Sequence, residues 1–411
     1  MAKDLEKKDK KYIWHPFTNM KGWERSDPLI IERGAGSYLF DTNGRKYLDG
    51  VSSLWVTVHG HRKKELDRAI EKQLKKIAHT TLLGLGNPPS IELAEKLIKI
   101  APRGLSRVFY SDSGSESVEI ALKLAFHYFQ ILGQKRKTKF ITLTNAYHGD
   151  TIGSVSVGGI DLFHKTYKPL LFKSLKVPPG NIEALEKMLK TRHREIAALI
   201  VEPLIQAAAG MLLYPPEYLK TVRRLCSKYN VLLIVDEVAT GFGRTGCMFA
   251  CEHVGISPDL MCVAKGITGG YLPLAATLTT EKLYRAFLNH TFYHGHTYTG
   301  NPLACAAALA NLDIFRKERT IEKLQPKIKL LTQLLKPFAK LNQVKEIRQL
   351  GFMAGIELNI DARPVIMRAR KLGAILRPLG NVIVLIPPLS ISKAELRKLV
   401  DITATSVAGS T

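Results

Sequence analysis

The chain lacks the features that would place it in a membrane, a disulfide framework or a repeat array. Its 411 residues contain no apolar run of about eighteen or more, so no membrane span is predicted. Five cysteines without a paired pattern favour reduced thiols and a cytoplasmic protein. Residues 1–12 are charged and have no apolar segment, which is not typical of a secretory signal. No repeat is present, and a composition of 45% apolar residues suits a folded protein with a large core.

Acidic residues are scarce relative to basic ones. The chain has 60 Lys and Arg against 36 Asp and Glu, a formal net charge of +24. Such a charge raises the question of a nucleic-acid or other anionic partner. The basic residues, however, are spread over helical segments such as 63–76 and 323–336, and they do not alternate with aromatic residues. We therefore expect a solvated basic surface that favours anionic substrates, and no nucleic-acid partner.

Short β-branched runs alternate with amphipathic segments along most of the chain. This alternation predicts βαβ units and an α/β fold with a mostly parallel mixed sheet. The expected strands and helices are 107–110, 140–143, 198–202, 232–235 and 260–263, and 115–133, 182–192, 216–229 and 302–316, respectively. We predict one large domain over residues 61–312, and a smaller α+β domain built jointly from residues 1–60 and 313–411.

Two of these apolar runs end in charged residues that are costly to bury. Residues 232–235 lead into Asp236 and Glu237, and residues 260–264 lead into Lys265. A lysine in an apolar pocket loses proton affinity and becomes a nucleophile, which suits a Schiff base with an aldehyde cofactor. An ionised aspartate can keep a pyridine nitrogen protonated. Two ordinary strands with charges at their exposed ends would have the same pattern, so the two segments alone leave both interpretations open.

A hydroxyl-rich turn at residues 111–117 follows a predicted strand and opens a helix. Gly114 and Ser115 lie where free backbone N–H groups and the helix dipole suit a phosphate. A plain N-cap with an acidic first turn, formed by Ser115 and Glu119, explains the same residues. The turn is not G-x-G-x-x-G, so a dinucleotide-binding fold gains no support.

Two further motifs follow predicted strands. Residues 145–151 contain Tyr147, which suits stacking on a cofactor ring at the carboxyl end of a strand, or equally a surface turn. The glycine-rich residues 241–246 contain Arg244, which either pairs with a carboxylate or lies solvated in a flexible loop.

Two pairs of histidines, His59 with His61 and His294 with His296, raise the question of a metal site. Neither pair has a carboxylate or cysteine partner at a recognised ligand spacing. We therefore predict no metal site.

With Asp236 and Lys265 at this spacing, the chain resembles the class III (fold type I) aminotransferases, which depend on pyridoxal 5′-phosphate (PLP). Motifs over essentially the whole length carry the resemblance, at residues 14–18, 52–55, 147–151, 236–246 and 266–270. Together they are similar to the branch that aminates 8-amino-7-oxononanoate in biotin biosynthesis, with S-adenosyl-L-methionine or, in some members, lysine as the amino donor. The resemblance implies the fold type I architecture, bound PLP and a cytoplasmic homodimer with shared active sites.

The resemblance also implies roles for single residues. Lys265 would hold the cofactor covalently and then move a proton, while Asp236 would hold the pyridinium and Tyr147 would stack on the ring. Glu202 would lie beside the cofactor. The phosphate-binding positions would be shared between the two subunits, from Gly114 and Ser115 of one and from His296 and Thr297 of the other.

The positions that would contact substrate follow from the same resemblance and are Phe17, Leu54, Trp55, Tyr147, Asp150, Arg244, Lys265, Gly295 and Arg377. Arg377 would bind a carboxylate through two parallel N–H···O hydrogen bonds. The chain departs from the family pattern at Phe17, where other members have Tyr, and at Leu54, where they have Trp. Packing does not replace a lost hydroxyl, so the substrate stays open at these positions. Another class III ω-aminotransferase, of the ornithine or 4-aminobutyrate type, and a PLP-dependent aminomutase are the alternatives.

Overall fold

The computed structural model describes residues 2–410 and has a seven-stranded mixed sheet at its centre. Its strands, in spatial order, are Leu105–Ser111, Ala275–Thr280, Leu260–Val263, Leu232–Asp236, Ile196–Val201, Lys139–Leu143 and Leu175–Val177. Strand Ala275–Thr280 runs antiparallel to both of its neighbours, and the other pairings in this sheet are parallel. The predicted α/β architecture with a mostly parallel mixed sheet is confirmed.

Both faces of this sheet are buried, which explains why its strands are continuous apolar runs rather than alternating ones. Leu232 and Ile234 face the helix Gly114–Ile131. Leu233 and Val235 belong to the larger apolar cluster on the opposite face. The charged residues that end these strands are therefore held at one edge of a rigid sheet.

Strands from both ends of the chain share a second sheet. It has the order Ile31–Ala35, Tyr38–Asp41, Lys46–Asp49 and Ala374–Ile375. A third, antiparallel sheet has the order Val344–Leu350, Met353–Leu358, Val382–Leu385 and Arg377–Leu379. A short hairpin pairs Ile205–Gln206 with Leu212–Leu213. The domain boundaries at residues 60 and 312 stay predictions.

The other α-helices cover these sheets and connect their strands. Their bounds are Ala2–Tyr12, Met20–Glu24, Lys64–Leu74, Pro88–Ile100, Ile152–Ser156, Asp161–His164, Ile182–Arg192, Pro216–Lys228, Glu281–Ala286, Pro302–Lys317, Thr320–Leu335, Ala362–Lys371 and Lys393–Ala408. Short 3₁₀ turns lie at Lys165–Leu170, His193–Glu195, Ala250–Val254, Lys265–Thr268 and Lys336–Lys340. Among residues 2–410, no helix has the length and apolar character needed to cross a membrane.

Candidate active site

The carboxyl ends of the central strands open onto a cavity of about 860 Å³. Ligands bind at this edge of open α/β sheets, because the loops that follow the strands converge there. Three charged residues in its lining lie at the ends of central strands: Glu202 directly follows one strand, Asp236 is the last residue of another, and Lys265 follows a third after one intervening residue. The strand Arg377–Leu379 of the third sheet supplies a fourth, Arg377.

Lys265 combines a place in the cavity lining with a low proton affinity. Its Nζ lies 4.7 Å from the centroid of the Trp55 ring. Burial lowers the pKa of Lys265 to about 8, although the nearby Asp236 and Glu202 carboxylates oppose the shift. An amine with this pKa has a substantial neutral fraction near pH 8 and is a competent nucleophile. Its backbone is also left-handed, with φ 48°, a conformation that is costly for a residue other than glycine and is often found at functional sites.

Asp236 is held in place by two donors. His148 Nδ1 lies 2.7 Å from Asp236 Oδ2, and the N–H of Val238 donates to Oδ1 at 3.0 Å. Both His148 and Asp236 are buried, with 2% and 4% of their surface exposed. The sequence interpretation missed His148, although it stands next to Tyr147 in the motif at residues 145–151. Its proximity to Asp236 is a tertiary contact between two residues that are 88 positions apart in the chain.

Glu202 is a second buried carboxylate in the cavity wall. The N–H groups of Tyr147 and Ala207 donate to its two oxygens at 3.1 and 3.0 Å. Burial nevertheless raises the pKa of Glu202 to about 7, because desolvation outweighs these two donors. The carboxyl group therefore ties the Tyr147 loop to the hairpin that follows strand Ile196–Val201 and titrates near neutral pH.

Tyr147 contributes an aromatic ring to the cavity. Its hydroxyl donates to Asp150 Oδ2 at 2.6 Å, and the N–H of Asp150 donates to Ser115 Oγ at 3.1 Å. Burial raises the pKa of Tyr147 above its ordinary value, so the phenol is neutral at physiological pH. The carboxylate of Asp150 lies exposed behind this hydroxyl and does not line the cavity itself.

The turn at the start of helix Gly114–Ile131 presents backbone N–H groups. The N-cap is Ser113, which forms a capping box with Glu116, and not Ser115. Glu119 does not take part in the cap and instead accepts hydrogen bonds from Thr151 and Gly153. Within residues 2–410, the N–H groups of Gly114 and Ser115 have no protein acceptor. An added Cβ at Gly114 would lie 2.6 Å from Val238 Cγ1, so only glycine fits here.

The substrate side of the cavity has an apolar wall and one cation. Phe17 is 64% exposed and Leu54 is 47% exposed at the rim, whereas Trp55 is buried. Arg377 is half-buried in the lining. No carboxylate among the described residues forms an ion pair with it, so its guanidinium is available to an anionic ligand.

The structure does not bring Arg244 into the cavity. The side chain is almost completely buried, and its guanidinium donates to Ser52 Oγ at 3.2 Å and to the carbonyls of Thr57 and Pro387 at 2.9 and 3.0 Å. The three acceptors take hydrogens of Nη1 and Nη2, and Arg244 does not line the cavity, so its substrate contact stays a prediction. Its position beneath the residue 52–57 segment indicates a packing role.

Gly295, His296 and Thr297 also lie outside the cavity lining. Gly295 and Thr297 are exposed, and His296 Nδ1 lies 3.9 Å from Glu116 Oε1 on the helix that the phosphate turn opens. His296 and Thr297 are predicted to contact the phosphate site of a partner subunit and Gly295 to contact substrate, and these contacts stay predictions. In the described part of the chain, no group of three His, Cys, Asp or Glu side chains is arranged to hold a metal ion.

The cavity unites the groups that a phosphorylated pyridine aldehyde requires. Lys265 offers a nucleophilic amine, Asp236 a buried carboxylate, and Gly114 and Ser115 free N–H donors at the amino end of a long helix. Cavity-lining residues that sequence reasoning did not single out include Thr268, within the motif at residues 266–270, and Tyr271, directly after it. The residues present therefore fit PLP.

Comparisons with known proteins agree with this chemistry. The family model for aminotransferase class III matches residues 20–407. The chain is 55% identical to the adenosylmethionine-8-amino-7-oxononanoate aminotransferase of Aquifex aeolicus, over 97% of this chain and 96% of that protein. It is 53% identical to the protein of the same name from Anoxybacillus flavithermus, over 96% and 94%. A crystal structure of that enzyme from Methanocaldococcus jannaschii is similar with a TM-score of 0.97 and 47% identity, over 99% of both chains.

Proposed function

Because the chain belongs to the class III aminotransferase family, whose members depend on PLP, we propose that it transfers an amino group from S-adenosyl-L-methionine to 8-amino-7-oxononanoate, giving 7,8-diaminononanoate for biotin biosynthesis. The observation that carries the proposal is a single cavity that contains the Lys265 amine, the buried Asp236 and the free Arg377 guanidinium. The names of relatives at 55% and 53% identity supply the pair of substrates.

The residues on the cofactor side bind the cofactor and move protons. When bound, PLP supplies an aldehyde carbon for the amino group and a ring that takes up electrons. Lys265 Nζ holds the cofactor and, once released, removes a proton from the amine-bearing carbon of the donor. Asp236, oriented by His148, keeps the ring nitrogen protonated, and the N–H groups of Gly114 and Ser115 bind the phosphate.

The residues on the substrate side orient an extended keto acid. Arg377 binds the carboxylate of 8-amino-7-oxononanoate, because its guanidinium has no ion-pair partner among residues 2–410 and lies in the same cavity as Lys265. Phe17, Leu54 and Trp55 pack against the methylene chain, which needs an apolar wall. Tyr147, hydrogen-bonded to Asp150, packs against the cofactor ring.

We further propose a cytoplasmic homodimer with shared active sites. The segment 291–299 and the nearby surface expose large apolar side chains that a partner would cover, including Tyr293 at 88% and Leu83 at 89%. In this arrangement the partner subunit's Gly295, His296 and Thr297 complete the substrate and phosphate sites. Size-exclusion chromatography with light scattering tests the dimer, and a monomeric holoenzyme with full activity would contradict it.

The experiment that tests the proposed reaction offers the two donors separately. The purified holoenzyme is incubated with 8-amino-7-oxononanoate and either S-adenosyl-L-methionine or lysine, and the products are identified by mass spectrometry. We expect 7,8-diaminononanoate with S-adenosyl-L-methionine. If the diamine forms only with lysine, the proposed donor is wrong and the proposed acceptor is right. If it forms with neither donor, the proposal is refuted.

One observation favours a second candidate, a class III ω-aminotransferase with a different acceptor. Phe17 and Leu54, where other members of the biotin branch have Tyr and Trp, both line the cavity. A panel of ω-amines offered as donors, with pyruvate as acceptor, separates the two functions. Faster turnover of these amines than of S-adenosyl-L-methionine would favour the second candidate.

A further inference from the structure

A run of left-handed residues forms part of the cavity wall. Ser52, Ser53, Leu54 and Trp55 have φ of 49°, 48°, 77° and 69°, and none is glycine. Successive L residues rarely adopt this conformation, because each Cβ approaches the following carbonyl oxygen. The surrounding structure must therefore hold this segment, which we call the left-handed turn.

The carboxylate of Asp49 is the main acceptor for the left-handed turn. The N–H of Ser53 donates to Asp49 Oδ1 at 2.9 Å, and the hydroxyl of Ser53 donates to Oδ2 at 2.8 Å. His61 Nε2 lies 3.0 Å from the same Oδ2. Asp49 is 1% exposed and does not line the cavity. A buried carboxylate with these partners is fixed in position and fixes Ser53 in turn.

Other hydrogen bonds hold Ser52, the first residue of the left-handed turn. Ser52 Oγ donates to the carbonyl of Ile386 at 2.6 Å and accepts from Arg244 at 3.2 Å. The N–H of Val56 donates to the carbonyl of Ser52 at 3.0 Å. These bonds anchor Ser52, whereas Asp49 accepts the two hydrogen bonds that Ser53 donates from the middle of the turn.

The conformation of the turn decides where two cavity side chains lie. Leu54 and Trp55 are consecutive, and both line the cavity. In an extended strand, consecutive side chains point to opposite faces, so this shared direction depends on the left-handed backbone. Trp55 also covers the Lys265 amine, since Nζ lies 4.7 Å from its ring centroid.

We propose that Asp49 is a positioning residue for the amino acceptor: it holds Ser53 in the left-handed conformation and thereby sets the apolar wall formed by Leu54 and Trp55. The inference rests on the proposed function, since it concerns the substrate side of the same cavity. Asp49 does not line the cavity, so it acts through the turn.

The test compares four variants of the full-length holoenzyme: Asp49→Ala, Ser53→Gly, Asp49→Ala/Ser53→Gly and Asp49→Ala/Ser53→Ala. In Asp49→Ala, the KM for 8-amino-7-oxononanoate should rise about tenfold while kcat changes less than about twofold, because uniform substrate binding is lost and the chemistry is retained. The protein should still bind its cofactor, measured as retained cofactor absorbance. Ser53→Gly alone should resemble the wild type, because glycine adopts positive φ without the Cβ clash.

The double variants separate positioning from a general structural role. Glycine and alanine both remove the Ser53 hydroxyl, but only glycine removes the cost of the left-handed backbone. Asp49→Ala/Ser53→Gly should therefore recover most of the lost affinity, and Asp49→Ala/Ser53→Ala should recover none. An unchanged KM in Asp49→Ala, or equal behaviour of the two double variants, would overturn the proposal.

A crystal structure of Asp49→Ala gives a readout that does not depend on the reaction. We expect residues 52–54 to leave the positive φ region and Leu54 to move away from the cavity. An unchanged turn would overturn the proposal even if the wild type fails to aminate 8-amino-7-oxononanoate. If Asp49→Ala does not fold, Asp49→Asn takes its place: its amide NH2 cannot accept from the Ser53 hydroxyl or from His61, so we expect a change in the same direction and of smaller size.

Discussion

His148 Nδ1 lies 2.7 Å from Oδ2 of Asp236, and neither residue is open to bulk water. Asp236 therefore does not depend on solvent to stay oriented toward the cavity. His148 Nε2 has no hydrogen-bond partner in the described part of the chain. His148 thus holds Asp236 in position for the predicted contact of Asp236 with the ring nitrogen of the cofactor.

Removal of this support should weaken the enzyme without unfolding it. His148→Ala leaves one oxygen of a buried carboxylate without its donor, which costs about 1–3 kcal/mol. We expect kcat to fall about ten- to a hundredfold, with a smaller loss of bound PLP, measured by cofactor absorbance. The exposed His290→Ala is the matched control and should retain wild-type activity. A His148→Ala enzyme with wild-type kcat would show that Asp236 needs no support.

The lowered pKa of Lys265 predicts how the apoprotein takes up its cofactor. Only the neutral amine attacks an aldehyde, and burial brings the pKa from its ordinary value of 10.5 to about 8. The rate of PLP attachment should therefore rise with pH and level off above about pH 8. Stopped-flow absorbance measures this rate. A rate that keeps rising to pH 10 would indicate an ordinary lysine.

Glu202 should make stability depend on pH in the opposite sense to an ordinary carboxylate. Its pKa is raised from 4.5 to about 7 in the folded protein, so the native state binds the proton more tightly than the unfolded state. This contribution to stability is present below pH 4.5 and is lost as pH rises through 7. The unfolding free energy of the wild-type apoprotein, relative to Glu202→Gln, should fall by about 3 kcal/mol between pH 4.5 and pH 8.

Denaturant titrations of both apoproteins at several pH values provide this measurement. The difference between the two proteins is informative even if Glu202→Gln is less stable at every pH, because a constant offset cancels. A difference that is flat across this range, or that grows with pH, would contradict a raised pKa for Glu202.

The close approach of Gly114 to Val238 predicts that a second substitution, at Val238, restores the PLP affinity lost in a Gly114 variant. A Cβ at Gly114 would lie 2.6 Å from Val238 Cγ1, so Gly114→Ala must move the phosphate turn or the loop after Asp236. We expect about a tenfold loss of PLP affinity, because displaced N–H groups no longer converge on the phosphate. Val238→Ala removes the obstructing methyl groups, and Gly114→Ala/Val238→Ala should recover most of the affinity. Equilibrium dialysis with PLP measures both, and a double variant no better than Gly114→Ala would refute the steric explanation.

Local patterns predict the elements around Lys265 and Asp236 well. The expected strand 260–263 coincides with Leu260–Val263, and 232–235 is one residue short of Leu232–Asp236. Both strands are buried on two faces, so their apolar runs carry an unambiguous signal. The helix expected at 182–192 also coincides with Ile182–Arg192, because Asn181 caps it and its apolar residues recur at helical spacing.

Local sequence patterns did not predict the contacts between segments that are distant in the chain. The bond between His148 and Asp236 depends on strand order, which periodicity does not encode. The glycine-rich loop around Arg244 left open a carboxylate partner or a solvated side chain, whereas its guanidinium donates to oxygen atoms of residues 52, 57 and 387. The left-handed turn contains no glycine, so nothing in its residues marked the positive φ that Asp49 stabilises.

The central claim is that Lys265 carries the cofactor, and borohydride reduction tests it most directly. Reduction of the purified holoenzyme, followed by proteolysis and mass spectrometry, should give a phosphopyridoxyl label on the peptide that contains Lys265. Lys265→Ala should lose both the label and the cofactor absorbance. A label on another lysine, or a wild-type protein that stays colourless and unlabelled when it is incubated with PLP, would contradict the account.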